Sequence, residues 1–170
     1  MHAFHTLILL VFPVLVIFAA LKDATSYTIP NWIPLALIVA FPVAALTIGL
    51  PLPVVGLQAG IGLIGLICGM AMFAVGWIGG GDAKLFAAAS LWLGFPAALT
   101  YVAVTAIAGG ALAVLLLALR SAWLKPFVPG GVAWLSRLTT TGENVPYGVA
   151  IAVGALVAYY YPACALVAAV

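Results

Sequence analysis

Long apolar runs separated by short polar breaks make up this chain. Residues 4–21 include no Lys, Arg, Asp or Glu, about the length a helix needs to cross a bilayer. Pro13 predicts a kink within that run, which a helix bundle accommodates. A polar link, Lys22 to Thr28, leads to a second span at 30–50, with Pro30 in its first turn and Trp32 at the headgroup boundary. Pro51-Leu52-Pro53 turns the chain into a third span at 55–77, and further spans are predicted at 83–98, 99–119 and 146–168. Residues 120–144 form the longest polar link, within which 132–138, carrying Trp134 and Arg137, reads as a short interfacial helix. The apolar positions run continuously instead of alternating, which argues against a transmembrane barrel. The expected fold is all-α: a polytopic membrane protein of six transmembrane helices in one bundle, a single domain over 1–170.

The fourth run is short. Some 12 residues separate Asp82 from Phe95-Pro96, roughly 18 Å at 1.5 Å per residue. The hydrocarbon core is about 30 Å thick. The helix therefore either continues through Pro96 or starts below the membrane surface, and the second is the expectation. The third run carries Gly56, Gly60, Gly65, Gly69 and Gly76, a spacing that predicts close helix packing in lipid.

Composition supports the membrane reading. The chain is 68% hydrophobic and 5% charged, with mean hydropathy +1.38, whereas soluble domains are about 25% charged. The small positive charge and the lack of a basic tract argue against nucleic acid. Cys68 and Cys164 lie far apart inside apolar runs, so no disulfide, metal site or cofactor is expected. The amino-terminal region holds His2 and His5 but no Lys or Arg, and its apolar run exceeds a usual signal sequence; it reads as a retained helix, with both histidines uninvolved in function.

Charge placement orients the spans. Lys22, Lys84, Arg120, Lys125 and Arg137 all fall in links on one face, and the other turns and both termini carry no Lys, Arg, Asp or Glu. By the positive-inside rule that face is cytoplasmic and both termini lie outside. Asp23 and Asp82 are then on the same, cytoplasmic side.

Only three acids occur in 170 residues, and two of them stand at helix ends on that face. Asp82 can act as a helix cap and Asp23 as a solvated link residue. Ionisable groups at membrane depth are nonetheless costly and point to function. Two adjoining carboxylates cannot easily both ionise; one keeps a proton while the other activates a shared water that attacks a peptide carbonyl. Gly79, Gly80 and Gly81, just before Asp82, would permit unusual backbone and close approach of an extended substrate. Lys84 can tune or hold the pair, or snorkel to lipid headgroups, and the second is preferred. Glu143 reads as a solvated loop residue.

Gly79-Gly80-Gly81-Asp82 resembles the GxGD signature of membrane aspartyl proteases, and Ala83-Lys84-Leu85 resembles its continuation in prepilin peptidases. Asp23 followed by Ile29-Pro30-Asn31 is similar to that family's first catalytic motif, and Val145–Ala150 to the opening of its last helix. The resemblance implies an aspartic endopeptidase that removes basic leaders from type IV prepilins at the cytoplasmic side of the inner membrane, with Asp23 and Asp82 as the catalytic pair. It makes Gly79, Gly80, Gly81, Lys84, Pro30 and Asn31 supporting or substrate-binding residues. The expected partners are a prepilin substrate, the lipid bilayer and a pilus or secretion assembly. The paired Cys-x-x-Cys motifs of the family's bifunctional members do not occur. The chain thus resembles the small peptidase-only type of tight-adherence (Flp) pili, or archaeal preflagellin peptidases, without methyltransferase activity. Two other readings stand beside this one: a small proton- or ion-coupled transporter or channel subunit with the aspartates in its path, and a catalytically silent assembly factor. Transporter acids belong near the midplane, and these two lie towards one face.

Overall fold

A computed structural model of the protein describes residues 2–121, 140, 145–160, 164 and 166. The regular elements among them are all α-helices: α1 (His2–Ser26), α2 (Trp32–Thr47), α3 (Leu52–Ala74), α4 (Gly80–Leu93), α5 (Ala97–Arg120) and α6 (Tyr147–Tyr159). Leu7–Ser26, Leu52–Ala74 and Ala97–Arg120 are long and apolar enough to cross a membrane, while α2 and α6 are shorter apolar helices. The interfacial helix expected at 132–138, Lys125, Arg137, Glu143 and most of the chain beyond Tyr160 lie outside the described residues.

α4 is the centre of the molecule. It packs against each of the other five helices, and ten of its fourteen residues are buried, Asp82 through Leu93 with few gaps. The outer helices α3 and α5 do the opposite: α3 buries only Gln58, Gly65 and Gly69 and turns Leu57, Ile64, Ile67 and Met70 outward. A chain this apolar needs no polar exterior when lipid is its solvent. The length of α4 follows from its position. Fourteen residues rise about 21 Å, too little for a lipid-facing span but enough for a rod enclosed by its neighbours.

Aromatic side chains knit the core around it. Trp92 is fully buried and donates its indole N–H to the Leu37 carbonyl of α2 at 2.8 Å. The Phe12 ring lies 5.3 Å from that of Trp92 and 4.6 Å from that of Tyr159, and the Tyr159 hydroxyl donates to the Leu9 carbonyl at 2.9 Å. One cluster thus joins α1, α2, α4 and α6.

Several boundaries differ from expectation. α1 continues through the predicted link, so that Lys22, Asp23 and Ser26 are helical. Thr25 and Ser26 return their hydroxyls to the carbonyls of Leu21 and Lys22, which sustains the last turn, and Tyr27, at φ 55°, reverses the chain. The fourth helix ends at Leu93, not 98: Gly94 at φ 61° stops it and α5 starts at Ala97. It does not continue through Pro96.

The glycine stripe of α3 divides. A Cβ on Gly65 would stand 2.6 Å from Ser90 Oγ, and one on Gly69 2.9 Å from the Ala83 carbonyl oxygen, so α3 and α4 approach through these two positions. Gly56 and Gly60 face open space and pack against nothing. Gly76 is not a packing residue either. It sits at φ 76° just past α3, donating its N–H to Phe73, while Trp77 donates to Met72; these are the two bonds of a Schellman cap.

Candidate active site

Each aspartate meets a helix N-terminus. Such an end carries backbone N–H groups without intrahelical partners, and its dipole favours negative charge. Asp82 is the third residue of α4, and its Oδ2 accepts from the N–H of Gly79 at 3.0 Å. That is the carboxylate half of a capping box. Asp23, in the last turn of α1, serves a different helix: its Oδ2 accepts from the N–H of Gly148, in the first turn of α6, at 2.7 Å. Three elements therefore converge here, the C-terminal end of α1 and the N-terminal ends of α4 and α6.

Both acids are buried, Asp23 at 4% exposure and Asp82 at 7%. Each carboxylate is within the other's electrostatic reach. Burial pushes the Asp82 carboxyl up to about 6 from an ordinary 3.8, while the N–H groups of Gly79 and Gly148 favour its charged form and oppose that rise. Gly148 donates its hydrogen bond to Asp23, and the same N–H favours the charged form of Asp82. Asp82 divides its oxygens between two tasks. Oδ2 caps the helix, and Oδ1 is buried with no hydrogen-bond partner. A bare buried carboxylate oxygen is costly, and it stands where a water or a polar substrate atom would satisfy it.

The three glycines before Asp82 act differently from expectation. None has a positive φ; Gly79 is ordinary extended backbone at φ −74°, ψ 157°, and Gly80 and Gly81 already belong to α4. The segment is not unwound. Its glycines allow contact instead: a Cβ on Gly81 would lie 3.0 Å from Ile29 Cβ and 3.3 Å from the Ile29 carbonyl oxygen. Gly148 meets the same residue from the other side, since its Cβ would stand 2.9 Å from Ile29 Cδ1 and 2.8 Å from Asp23 Oδ2. Ile29 therefore wedges the two helix starts at a fixed separation.

The Lys84 ammonium is exposed but held in direction. It donates to Asn31 Oδ1 at 2.8 Å, linking α4 to the start of α2. Asn31 consequently makes no side-chain cap on α2. Pro30 accepts through its carbonyl from the N–H of Ile33 and so shapes the same corner. Pro30, Asn31 and Lys84 flank the carboxylates without touching them in any recorded hydrogen bond. An apolar cavity of about 560 Å³ lies between α3 and α5, with Ile78 and Tyr147 in its lining. Each of these is the immediate neighbour of a glycine that donates to an aspartate.

Gly148 is the residue whose role sequence reasoning did not find. It lay inside the quoted run Val145–Ala150, but no pattern within one chain reveals that a backbone N–H will meet a side chain 125 positions earlier. Among the described residues no group of His, Cys, Asp or Glu is arranged to hold a metal ion.

Fold and site together define an all-helical membrane protein with two buried carboxylates held at helix starts. Residues 10–114, which include both aspartates and the glycines before the second, match the type IV leader peptidase family. The chain belongs to that family. No curated protein and no solved structure matches it.

Proposed function

We propose that the protein is an aspartic endopeptidase that cleaves the basic leader from type IV, Flp-like prepilins at the cytoplasmic face of the inner membrane, with Asp23 and Asp82 as its catalytic pair. The reading is carried by one observation: two acids far apart in sequence are both buried, each with an oxygen held by the N–H of a glycine at a helix start, Gly148 for Asp23 and Gly79 for Asp82. Family membership supports the reaction class and the prepilin substrate.

A water held between the carboxylates loses a proton to the ionised one and attacks the scissile carbonyl. The protonated partner donates to the oxygen on which charge develops. The pair then returns that proton to the leaving amine. Acid and base belong to the pair, since interacting carboxylates titrate as a unit. Oδ1 of Asp82, buried and without a partner, is the oxygen free to take up the water. The basic leader fits an acidic site, and the cavity between α3 and α5 fits an apolar stretch of substrate beside the scissile bond. In this reading the single domain spans 1–170 with six spans and both termini outside; charge placement supports that orientation.

The deciding experiment is Asp23→Asn and Asp82→Asn, each co-expressed with a small pilin precursor. Both variants are expected to insert at normal levels and to leave the precursor unprocessed. Full processing by either one overturns the mechanism.

A further inference from the structure

Lys84 stands at the mouth of a second groove, on the opposite side of α3 from the apolar cavity described above. This groove holds about 510 Å³ between α2 and α3, with α4 as its floor, and it is lined by apolar side chains such as Ile38, Leu63, Leu66 and Leu91. Its volume lies within the roughly 300–1,000 Å³ of small-molecule sites. Lys84 and Asn31 are its polar lining residues. Both walls present exposed apolar surface: Leu35 and Ile38 on α2, Leu63 on α3. An occupant therefore enters sideways from the hydrocarbon.

The charge at the mouth selects among hydrocarbon-borne occupants. The recorded hydrogen bond of Lys84 goes to a neutral amide, 2.8 Å away. No described carboxylate lies within ion-pairing distance of its ammonium. An ammonium has three protons to donate, so Asn31 fixes its direction and leaves its charge uncompensated. A long apolar slot ending in an oriented cation matches an acyl chain ending in an anionic headgroup. A zwitterionic lipid brings its own ammonium beside Lys84 and matches less well.

We propose that the groove between α2 and α3 binds one anionic phospholipid, with an acyl chain along Leu63 and Leu66 and the phosphate on Lys84. Lys84 lies in the turn of α4 that carries Asp82, so the lipid would brace the helix start on which the carboxylate is mounted. The proposal depends on the membrane setting and not on the peptidase reading, because its test reads lipid retention and not cleavage.

Protein is reconstituted in nanodiscs of equal phosphatidylglycerol and phosphatidylcholine, extracted into mild detergent and weighed by native mass spectrometry with its retained lipid. Wild-type protein is expected to retain one phosphatidylglycerol in preference to phosphatidylcholine. One lysine near a membrane surface supports a preference of about fivefold. Lys84→Met should abolish the preference and Lys84→Arg should keep it. Ala59→Trp places a bulky side chain in the groove from an exposed position on α3 and should lower retention of both lipids. Circular dichroism of each variant checks that the helices persist. Equal retention of the two lipids by wild-type protein overturns the proposal, as does unchanged phosphatidylglycerol retention in a folded Lys84→Met or Ala59→Trp variant. A co-purifying peptide in place of lipid also overturns it.

Discussion

The N–H of Gly148 donates to Asp23 Oδ2 at 2.7 Å and thereby ties the last turn of α1 to the first turn of α6. This bond orients a buried carboxylate without using a side chain. It also leaves no space at position 148, where a Cβ would stand 2.8 Å from that oxygen and 2.9 Å from both Asp23 Cβ and Ile29 Cδ1. Asp23 is rooted in α1 and cannot yield freely. The site is consequently sensitive to one methyl group on a residue with no chemistry of its own.

Gly148→Ala should therefore separate folding from catalysis. A misplacement of the carboxylate by a fraction of an ångström weakens a positioned acid–base pair, and about 1.4 kcal/mol is a factor of ten in rate. The expected result is normal insertion and at least a roughly tenfold loss in leader cleavage by purified protein. Cleavage at the wild-type rate would show that Gly148 does not position Asp23.

Cleavage should depend on pH through the pair. The reaction needs one carboxyl protonated and its partner ionised. Burial raises Asp82 to about 6, so a proton that an ordinary aspartate loses near 3.8 is kept here to higher pH. Raising the pH through the upper pKa of the pair removes the last proton and slows the reaction; lowering it far enough protonates both groups and also slows it. A bell-shaped profile is expected, its acid-competent side extending to at least about 6. Values of kcat/KM from pH 4 to 9, which report the free enzyme, check this, and a value still climbing at pH 9 contradicts it.

The two carboxylates of this candidate site are conspicuous in the sequence itself. Asp23, Asp82 and the residues around them could be picked out because an acid in a nearly uncharged chain is conspicuous, and charge placement put them on one face. What could not be read has a physical pattern. The bond from Gly148 is made by backbone, which every residue possesses, so composition carries no trace of it. Gly56, Gly60, Gly65, Gly69 and Gly76 look alike in sequence, yet two pack, one caps and two face outward, because the register against α4 is set by tertiary contact. Polar Lys22 and Asp23 mark a helix end at Leu21 in the sequence; in the fold, Asp23 turns inward to α6 and the helix continues. The bond from Lys84 to Asn31 leaves no trace in sequence for a similar reason, since the two are 53 positions apart.

The Lys84–Asn31 bond gives a coupling test. A single hydrogen bond to a charged donor in an exposed setting contributes modestly, about 1 kcal/mol. Asn31→Ala and Lys84→Met should each reduce kcat/KM several-fold, and the double variant should be little worse than either alone. Strictly multiplied effects would show that the two residues act separately.

The glycines of α3 offer a contrast within one helix. Gly69→Ala puts a methyl group 2.9 Å from the Ala83 carbonyl, at the tightest approach of α3 to the start of α4, whereas Gly60→Ala points into open space. The first should lower the melting temperature in detergent. The second should leave it unchanged or raise it slightly, because alanine favours a helix over glycine by roughly 0.5–1 kcal/mol. Equal effects at the two positions would mean that α3 does not pack on α4 through Gly69.

The proposed orientation is the last point open to direct test. Ser26 lies at the end of α1 beside the site, and Leu52 lies at the other end of the bundle, at the start of α3; both are exposed. With Cys68 and Cys164 replaced by alanine, Ser26→Cys and Leu52→Cys each carry a single thiol. The six-span topology expected from the sequence puts all five basic residues in links on the Ser26 side, which the positive-inside rule assigns to the cytoplasm. A membrane-impermeant maleimide added to intact cells is expected to label Leu52→Cys and to reach Ser26→Cys only after the membrane is opened. The reverse pattern would put the carboxylates on the outer face, where a cytoplasmic basic leader could not meet them, and the proposed substrate would fall with the orientation.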